Sequence, residues 1–327
     1  MSAATLPLTE IHEARQRIAG LVERTACTVS PDLSERAGAP VHLKMEHRQT
    51  TGSFKLRGAS NAVALLSPTE RERGVVTAST GNHGRALAFA AGREGISATV
   101  CMSELVPQNK VSEIRRLGAD VRIIGRSQDD AQREVDRLVA EEGRTMVPPF
   151  DAPAVIAGQG TLGLEILEDV PDVACVVVPL SGGGLIAGIA SAVKGINPNV
   201  RIVGVSMERG AAMKASLDAG HPVEVEEQAS LADSLGGGIG LDNHFTFSIC
   251  RALVDEVILL SEDEIAAGIR HAYATEREVL EGAGAVGIAA LLAEKLTVSG
   301  PTVLVLSGRN IDMGAHREIV GAGEGRA

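Results

Sequence analysis

Four short stretches of this 327-residue chain carry groups that could do chemistry together. The first is Thr51-Gly52-Ser53-Phe54-Lys55-Leu56-Arg57-Gly58, a lysine framed by small and polar residues. A lysine amine withdrawn from water has a depressed pKa, and its neutral form attacks a carbonyl carbon. A solvated loop lysine would read the same way in isolation. The second stretch, Ser79-Thr80-Gly81-Asn82-His83-Gly84, follows a β-branched run and opens a helical pattern. Free backbone N–H groups and the Asn82 amide there would cradle a carboxylate or phenolate; the plain alternative is a β-to-α turn capped by Asn82. The third, Ser181-Gly182-Gly183-Gly184-Leu185, combines close backbone approach with a helix start, which makes a phosphate cup. Gly182-x-Gly184-x-x-Ala187 also fits a relaxed dinucleotide fingerprint. A ribose-binding acid should then close the next strand. Ser206 stands there instead, Glu208 comes two residues later, and Lys55 and the Asn82 loop are left without a task. The fourth is Ser307-Gly308-Arg309-Asn310, where a serine closing a buried strand could meet a heterocyclic nitrogen or serve only as a turn residue.

Parallel strands separated by helices would bring such loops together. Strand candidates are Val41–Met45, Gly74–Ser79, Ala98–Met102, Asp120–Ile124, Ala174–Leu180, Val200–Ser206, Glu256–Leu260 and Thr302–Ser307. Ala174–Leu180 and Thr302–Ser307 are continuous apolar runs, the pattern of strands buried on both faces. Helical patterns lie between them at Asn82–Glu94, Val111–Leu117, Asp129–Glu142, Leu185–Lys194 and Glu262–Leu280. Leu117-Gly118 and Glu142-Gly143 place glycine where a helix would stop. This alternation predicts an α/β fold with parallel sheets. In such sheets ligands bind beyond the carboxyl ends of the strands, where all the loops after strands fall. One four-strand α/β unit is expected from about Gly74 to the Pro148-Pro149 break, with a second in the later half that the N-terminal segment joins.

Composition excludes several classes. The chain is 44% hydrophobic with a formal net charge of -11, and no basic run stands out. A nucleic-acid or anionic-membrane surface is therefore not expected. One Tyr, five Phe and no Trp leave little for stacking on single strands of nucleic acid, and make the core aliphatic. No apolar run reaches the roughly 18 residues of a membrane span, and residues 1–10 lack the pattern of a secretory signal. The four cysteines, Cys27, Cys101, Cys175 and Cys250, are far apart and never in C-x-x-C spacing, so reduced core thiols are expected. A cytoplasmic protein is the expectation, with a frayed tail over Gly321–Ala327.

Five motifs in order, Ser53 to Gly58, Ser79 to Gly84, Gly158-Gln159-Gly160-Thr161, Ser181 to Leu185 and Leu306-Ser307-Gly308, carry a specific resemblance. Over nearly its whole length the chain resembles a fold-type II pyridoxal phosphate enzyme of the threonine dehydratase/serine racemase family. The resemblance implies two domains, each a mostly parallel twisted sheet flanked by helices (tryptophan synthase beta-like), with pyridoxal 5'-phosphate in the cleft. Residues 1–72 plus 148–320 would form the large domain and 73–147 the small one. Lys55 would hold the cofactor aldehyde beside Phe54, Asn82 would bond the ring hydroxyl, and Ser181, Gly182, Gly183, Gly184 and Leu185 would bind the phosphate. Ser307 would face the pyridine nitrogen. Ser79, Thr80, Gly81 and His83 would hold the substrate carboxylate, with Gln159 and Glu281 nearby in support. The implied activity is loss of water and then ammonia from a β-hydroxy amino acid, with Lys55 taking the Cα proton. A neutral Ser307 favours elimination over a long-lived carbanion. Alternatives are a general L-serine/L-threonine dehydratase, a serine racemase-like enzyme, an NAD-linked dehydrogenase and a catalytically silent amino-acid-binding relative. A homodimer is implied by the resemblance.

The chain departs from that family at three places. Thr80, the candidate catalytic acid on the opposite substrate face, stands where racemase-like members carry serine; its methyl crowds the hydroxyl, which argues against efficient racemisation. Ser206 and Ala212 occupy the positions of two metal-binding carboxylates, so no metal is expected. His47-Arg48 and Arg309 add cations expected near the mouth, suiting a substrate with an extra acidic or polar group; for His47-Arg48, plain surface solvation reads equally well. Together these features resemble the hydroxyectoine utilization dehydratase branch. The chain ends soon after the Ser307 motif, so a feedback domain for isoleucine is not expected.

Overall fold

The computed structural model describes residues 5–79, 81–104, 106 and 108–322. Ten strands form in chain order: β1 Cys27–Val29, β2 Val41–Lys44, β3 Val75–Ala78, β4 Ala98–Met102, β5 Asp120–Ile123, β6 Thr145–Met146, β7 Cys175–Pro179, β8 Arg201–Met207, β9 Glu256–Leu260 and β10 Thr302–Val305. They build a six-stranded sheet, β1-β2-β10-β7-β8-β9, and a four-stranded sheet, β5-β4-β3-β6. All pairings are parallel except β1 with β2. The two continuous apolar runs become β7 and β10, the central strands, buried along their whole length. An apolar run has no polar side to show to water, so only the sheet interior accommodates it.

Two strands carry no sequence signal. β1 and β6 are three and two residues long, partly exposed and at sheet edges, so neither needs an apolar run. The helix expected over Glu262–Leu280 ends early, and a further helix follows it. Glu262–Ala274 is capped by a Ser261/Glu264 box and stops before Arg277, which has a positive φ of 62°, and Gly282–Leu292 starts anew. The break frees Glu278 and Glu281 from helix geometry and lets both carboxylates turn inward to partners.

Glycine permits the tightest helix crossing. A Cβ on Gly188 would lie 2.5 Å from the Ile156 carbonyl oxygen and 2.6 Å from the Gly160 nitrogen. Helices Pro153–Asp169 and Gly184–Ile196 therefore meet backbone to backbone. Two residues before Gly160, a Cβ on Gly158 would lie 2.6 Å from the Arg57 carbonyl oxygen, in helix Lys55–Ala64. The Gly158-x-Gly160 pair thus locks the helix that begins at Lys55 to the helix that begins at the glycine loop.

A buried ionic network anchors the same helix. Arg57 donates two hydrogen bonds to Glu46, both 2.8 Å, and two to Glu165, at 2.7 and 2.9 Å. Lys44 bonds Glu165 and Asp169 at 2.9 Å each, and Thr25 donates to Glu46. Arg57, Glu46 and Lys44 are essentially sealed from solvent. Charges this deep persist only when paired and fully hydrogen-bonded.

Candidate active site

Lys55 is brought to Ser307 by main-chain pairing. The Phe54 N–H donates to the Ser307 carbonyl at 3.0 Å and the Arg309 N–H to the Gly52 carbonyl at 2.9 Å, around an antiparallel bridge of Ser53 and Gly308. The lysine loop is thereby stitched onto the extension of β10. Helix Lys55–Ala64 starts at the lysine, and Arg57 fixes its first turn to the network below.

The loops after β3, β7 and β10 converge on one cavity of about 610 Å³, within the size range of cofactor sites. Phe54, Lys55, Ser79, Gly81, Asn82 and His83 line one side, and Ser181 to Leu185 line another. Ser307, Glu281 and a loop around Ser234 complete it. Gly183 is left-handed at φ 88°, and helix Gly184–Ile196 presents its first N–H groups at this loop. Phe150, which also lines the cavity, packs against Gly182 and Gly184 so tightly that a Cβ on either would strike it.

Electrostatics sort the polar groups. Lys55 donates to the Pro149 carbonyl at 2.6 Å, and desolvation lowers its pKa to about 8, partly offset by the Glu281 charge. Burial, joined by the Lys55 charge, pushes His83 down to about 3. His83 Nε2 lies 2.8 Å from the Val147 carbonyl, so Nε2 carries the proton and the buried Nδ1 is an unpartnered acceptor. Burial and the nearby Asp233 charge raise Glu281 to about 7, against hydrogen bonds from Asn82 Nδ2 at 2.7 Å, the Asn310 N–H at 3.0 Å and Ser234. Ser79 Oγ accepts from the Gly84 N–H at 3.0 Å, which leaves its own proton available.

Not every expected site residue lines the cavity. Thr80 lies outside the described residues. Gln159, expected beside the substrate, is buried at the helix crossing next to Gly58, with neither amide atom paired. Its glycine neighbours serve helix contact, which is why the motif sits in mid-helix. His47 and Arg48, expected near the mouth, turn instead to Glu278: His47 Nε2 lies 2.7 Å from its carboxylate and Arg48 pairs with the same group. Arg309 is likewise absent from the cavity lining, and Ser206 is buried near the end of β8. Three contributors were not foreseen. Pro149 and Phe150 back the lysine and the glycine loop, and the Pro148-Pro149 break was their only sequence signal. Asn310 closes the Ser307-Gly308-Arg309-Asn310 stretch, where no role was expected of it, and joins three parts of the site.

These features fit an aldehyde-bearing aromatic phosphate: a desolvated amine, a glycine cup with no room for a Cβ, an Asn amide and a buried serine hydroxyl around one cavity. Residues 18–308 match the family described as pyridoxal-phosphate dependent enzyme. The chain belongs to that family. A protein of Sinorhizobium fredii, provisionally named a threonine dehydratase, is 65% identical over 318 residues, covering 97% of this chain and 96% of its own. The L-threonine ammonia-lyase of Thermotoga maritima is 45% identical, covering 97% of this chain and 79% of its own. Among solved structures, maize serine racemase superposes with a TM-score of 0.91 at 32% identity, covering 97% of this chain and 98% of its own. The chain is accordingly a threonine dehydratase-like pyridoxal-phosphate enzyme of the lyase kind, with the fold-type II α/β architecture.

Proposed function

We propose that this enzyme converts a β-hydroxy-α-amino acid to a 2-keto acid and ammonia. Water leaves first, across Cα and Cβ, and water returns when the nitrogen is released, so the net loss is ammonia. The observation that carries the reading is a lysine amine with a pKa near 8, sunk in a cavity whose other walls hold phosphate- and carboxylate-binding groups. Bound pyridoxal phosphate supplies an electrophilic aldehyde and a conjugated ring that accepts electron density from the substrate Cα. Lys55 would hold that aldehyde and would take the Cα proton of the substrate; a pKa near 8 suits both tasks. Ser181 to Leu185 hold the phosphate through N–H groups at the helix start. Asn82 donates to the ring oxygen, and Ser307, being neutral, leaves the ring nitrogen free to stay unprotonated. Ser79, whose hydroxyl oxygen accepts from the Gly81 and Gly84 N–H groups and keeps its proton to give, holds the substrate carboxylate, and neutral His83 buttresses this loop through Val147.

The finer reading, a role in hydroxyectoine degradation, gets no support from His47 or Arg48, which face Glu278. What supports it is a cavity whose lining also includes Ser103 and Arg126, polar residues beyond those assigned to the cofactor and the substrate carboxylate. We further propose a small domain over residues 73–147, supported by a sheet built wholly from residues 75–146, and a cytoplasmic homodimer. The test is keto-acid release by cofactor-loaded protein from L-threonine, L-serine and 3-hydroxyaspartate, with chiral analysis of residual substrate. Rapid 2-ketobutyrate formation supports a threonine dehydratase, and inverted serine without keto acid would favour the racemase alternative. No turnover of any of the three, with Lys55 still binding cofactor, points to a larger hydroxylated substrate. A protein that never takes up the cofactor overturns the reading.

A further inference from the structure

Asn82 lines the cavity, and its amide can be used by a ligand only if it is held the right way round. A chain of hydrogen bonds determines that orientation. Arg85 Nη1, which can only donate, donates to Asn310 Oδ1 at 3.0 Å. The Thr51 carbonyl, which can only accept, receives Asn310 Nδ2 at 2.9 Å. With its oxygen and nitrogen so assigned, Asn310 directs its second Nδ2 proton to Asn82 Oδ1 at 2.5 Å. Asn82 Nδ2 then faces Glu281 Oε1 at 2.7 Å, spending one proton there and keeping the other for the cavity. The polarity of the whole chain is imposed from its Arg85 and Thr51 ends, so it does not depend on the protonation state of Glu281. Asn310 is held against Gly52, where a Cβ would strike its Oδ1, and its own N–H is tied to Glu281.

We infer that Asn310 is a positioning residue of the active site, one that fixes the Asn82 amide as a donor toward the bound cofactor's ring oxygen. This rests on the proposed role of Asn82, but its test does not rest on turnover. An aspartate at 310 has no donor. It would set a carboxylate against the Thr51 carbonyl and Asn82 Oδ1, and relief comes by rotating the Asn82 amide so that its oxygen faces the ligand.

The experiment compares holoenzymes of wild type, Asn310→Asp, Asn310→Ala, Asn82→Ala and the Asn310→Asp/Asn82→Ala double variant. The readouts are pyridoxal phosphate affinity by equilibrium dialysis and the visible absorbance of the bound cofactor against pH. Loss of a hydrogen bond to a charged oxygen corresponds to about 10- to 100-fold in affinity. Asn310→Asp is expected to lose that much and to move the pH midpoint of the absorbance change. Asn310→Ala should lose less, and the double variant should be no worse than Asn82→Ala. Arg85→Ala, outside the cavity lining, should repeat the Asn310→Ala effect in milder form, and it decides the matter if Asn310→Asp does not fold. Wild-type affinity and spectrum in Asn310→Asp, or in the folded Arg85→Ala if the aspartate variant fails, overturns the inference. So does a full additive loss in the double variant. An Asn82→Ala protein with unchanged affinity and spectrum would instead sink the assigned role of Asn82.

Discussion

Replacing Arg57 with methionine tests how the lysine helix is held. Arg57 makes four hydrogen bonds to Glu46 and Glu165, one each to Thr161 and the Glu23 carbonyl, and is sealed from water. Its removal leaves Lys44 as the remaining buried cation among Glu46, Glu165 and Asp169. Removing one partner of a buried ion pair costs about 3–5 kcal/mol, since the stranded charge stays desolvated. The sign of the pH dependence follows from Glu46. Burial alone would raise its pKa, but the charge and hydrogen bonds of Arg57 outweigh burial and hold it below the ordinary value. In the native protein Glu46 therefore adds stability above its unfolded pKa, and that contribution is lost as pH falls through the folded one. In Arg57→Met burial wins and the pKa rises above the unfolded value. The penalty is then largest at high pH and shrinks as Glu46 takes up a proton. Urea unfolding should show a loss of about 3–5 kcal/mol at pH 8 and a loss smaller by at least about 1 kcal/mol at pH 5, one pKa unit being worth about 1.4 kcal/mol. Pyridoxal phosphate affinity should fall with it, because Lys55 begins the helix that Arg57 anchors. A loss that does not change with pH, or one under about 1 kcal/mol, would refute the reasoning.

The rate at which apoprotein captures pyridoxal phosphate should rise with pH to a midpoint near 8, where Lys55 loses its proton; a rate still climbing toward the ordinary lysine value of about 10.4 refutes this. Because the Glu281 charge raises Lys55, Glu281→Gln should move that midpoint to lower pH, and a shift upward would show the coupling to be wrong. Gly182→Ala puts a methyl into the Phe150 ring and should weaken cofactor affinity by about tenfold, as overpacking of 1–3 kcal/mol implies; unchanged dialysis binding would count against the tight backing of this loop. Arg48→Ala, off the cavity, should leave KM within about twofold, as surface changes usually do. A much larger change for an acidic substrate would restore Arg48 to the mouth.

Much of this molecule could be read before its fold was seen, for a local reason. Buried parallel strands must be apolar throughout, so β7 and β10 announce themselves, and glycines at 182–184 mark a turn no other residue makes as easily. β1 and β6 carry no such signal, because two or three edge residues are recruited by the neighbouring strand's hydrogen bonds. Gln159 misleads because its glycine neighbours permit helix crossing, and the same pattern in a loop would suggest ligand contact. His47 and Arg48 mislead because charge in a sequence says nothing of its partner, and Glu278 lies far along the chain.

The chain alone therefore determined which groups were available: one lysine in a small-residue frame, an Asn loop, a glycine cup and a terminal serine. These depend on residue type and on short-range backbone geometry. The fold decided what those groups became. The Lys55 pKa is lowered to about 8 because the fold partly buries the amine beside Pro149, against the opposing charge of Glu281. Asn82 presents a donor because Arg85, Thr51 and Asn310 set its polarity. Glu281 moves to about 7 because burial and Asp233 act on it together. The deciding partners, Pro149 for Lys55 and Asn310 for Asn82, are distant in sequence, and only the tertiary structure brings them together.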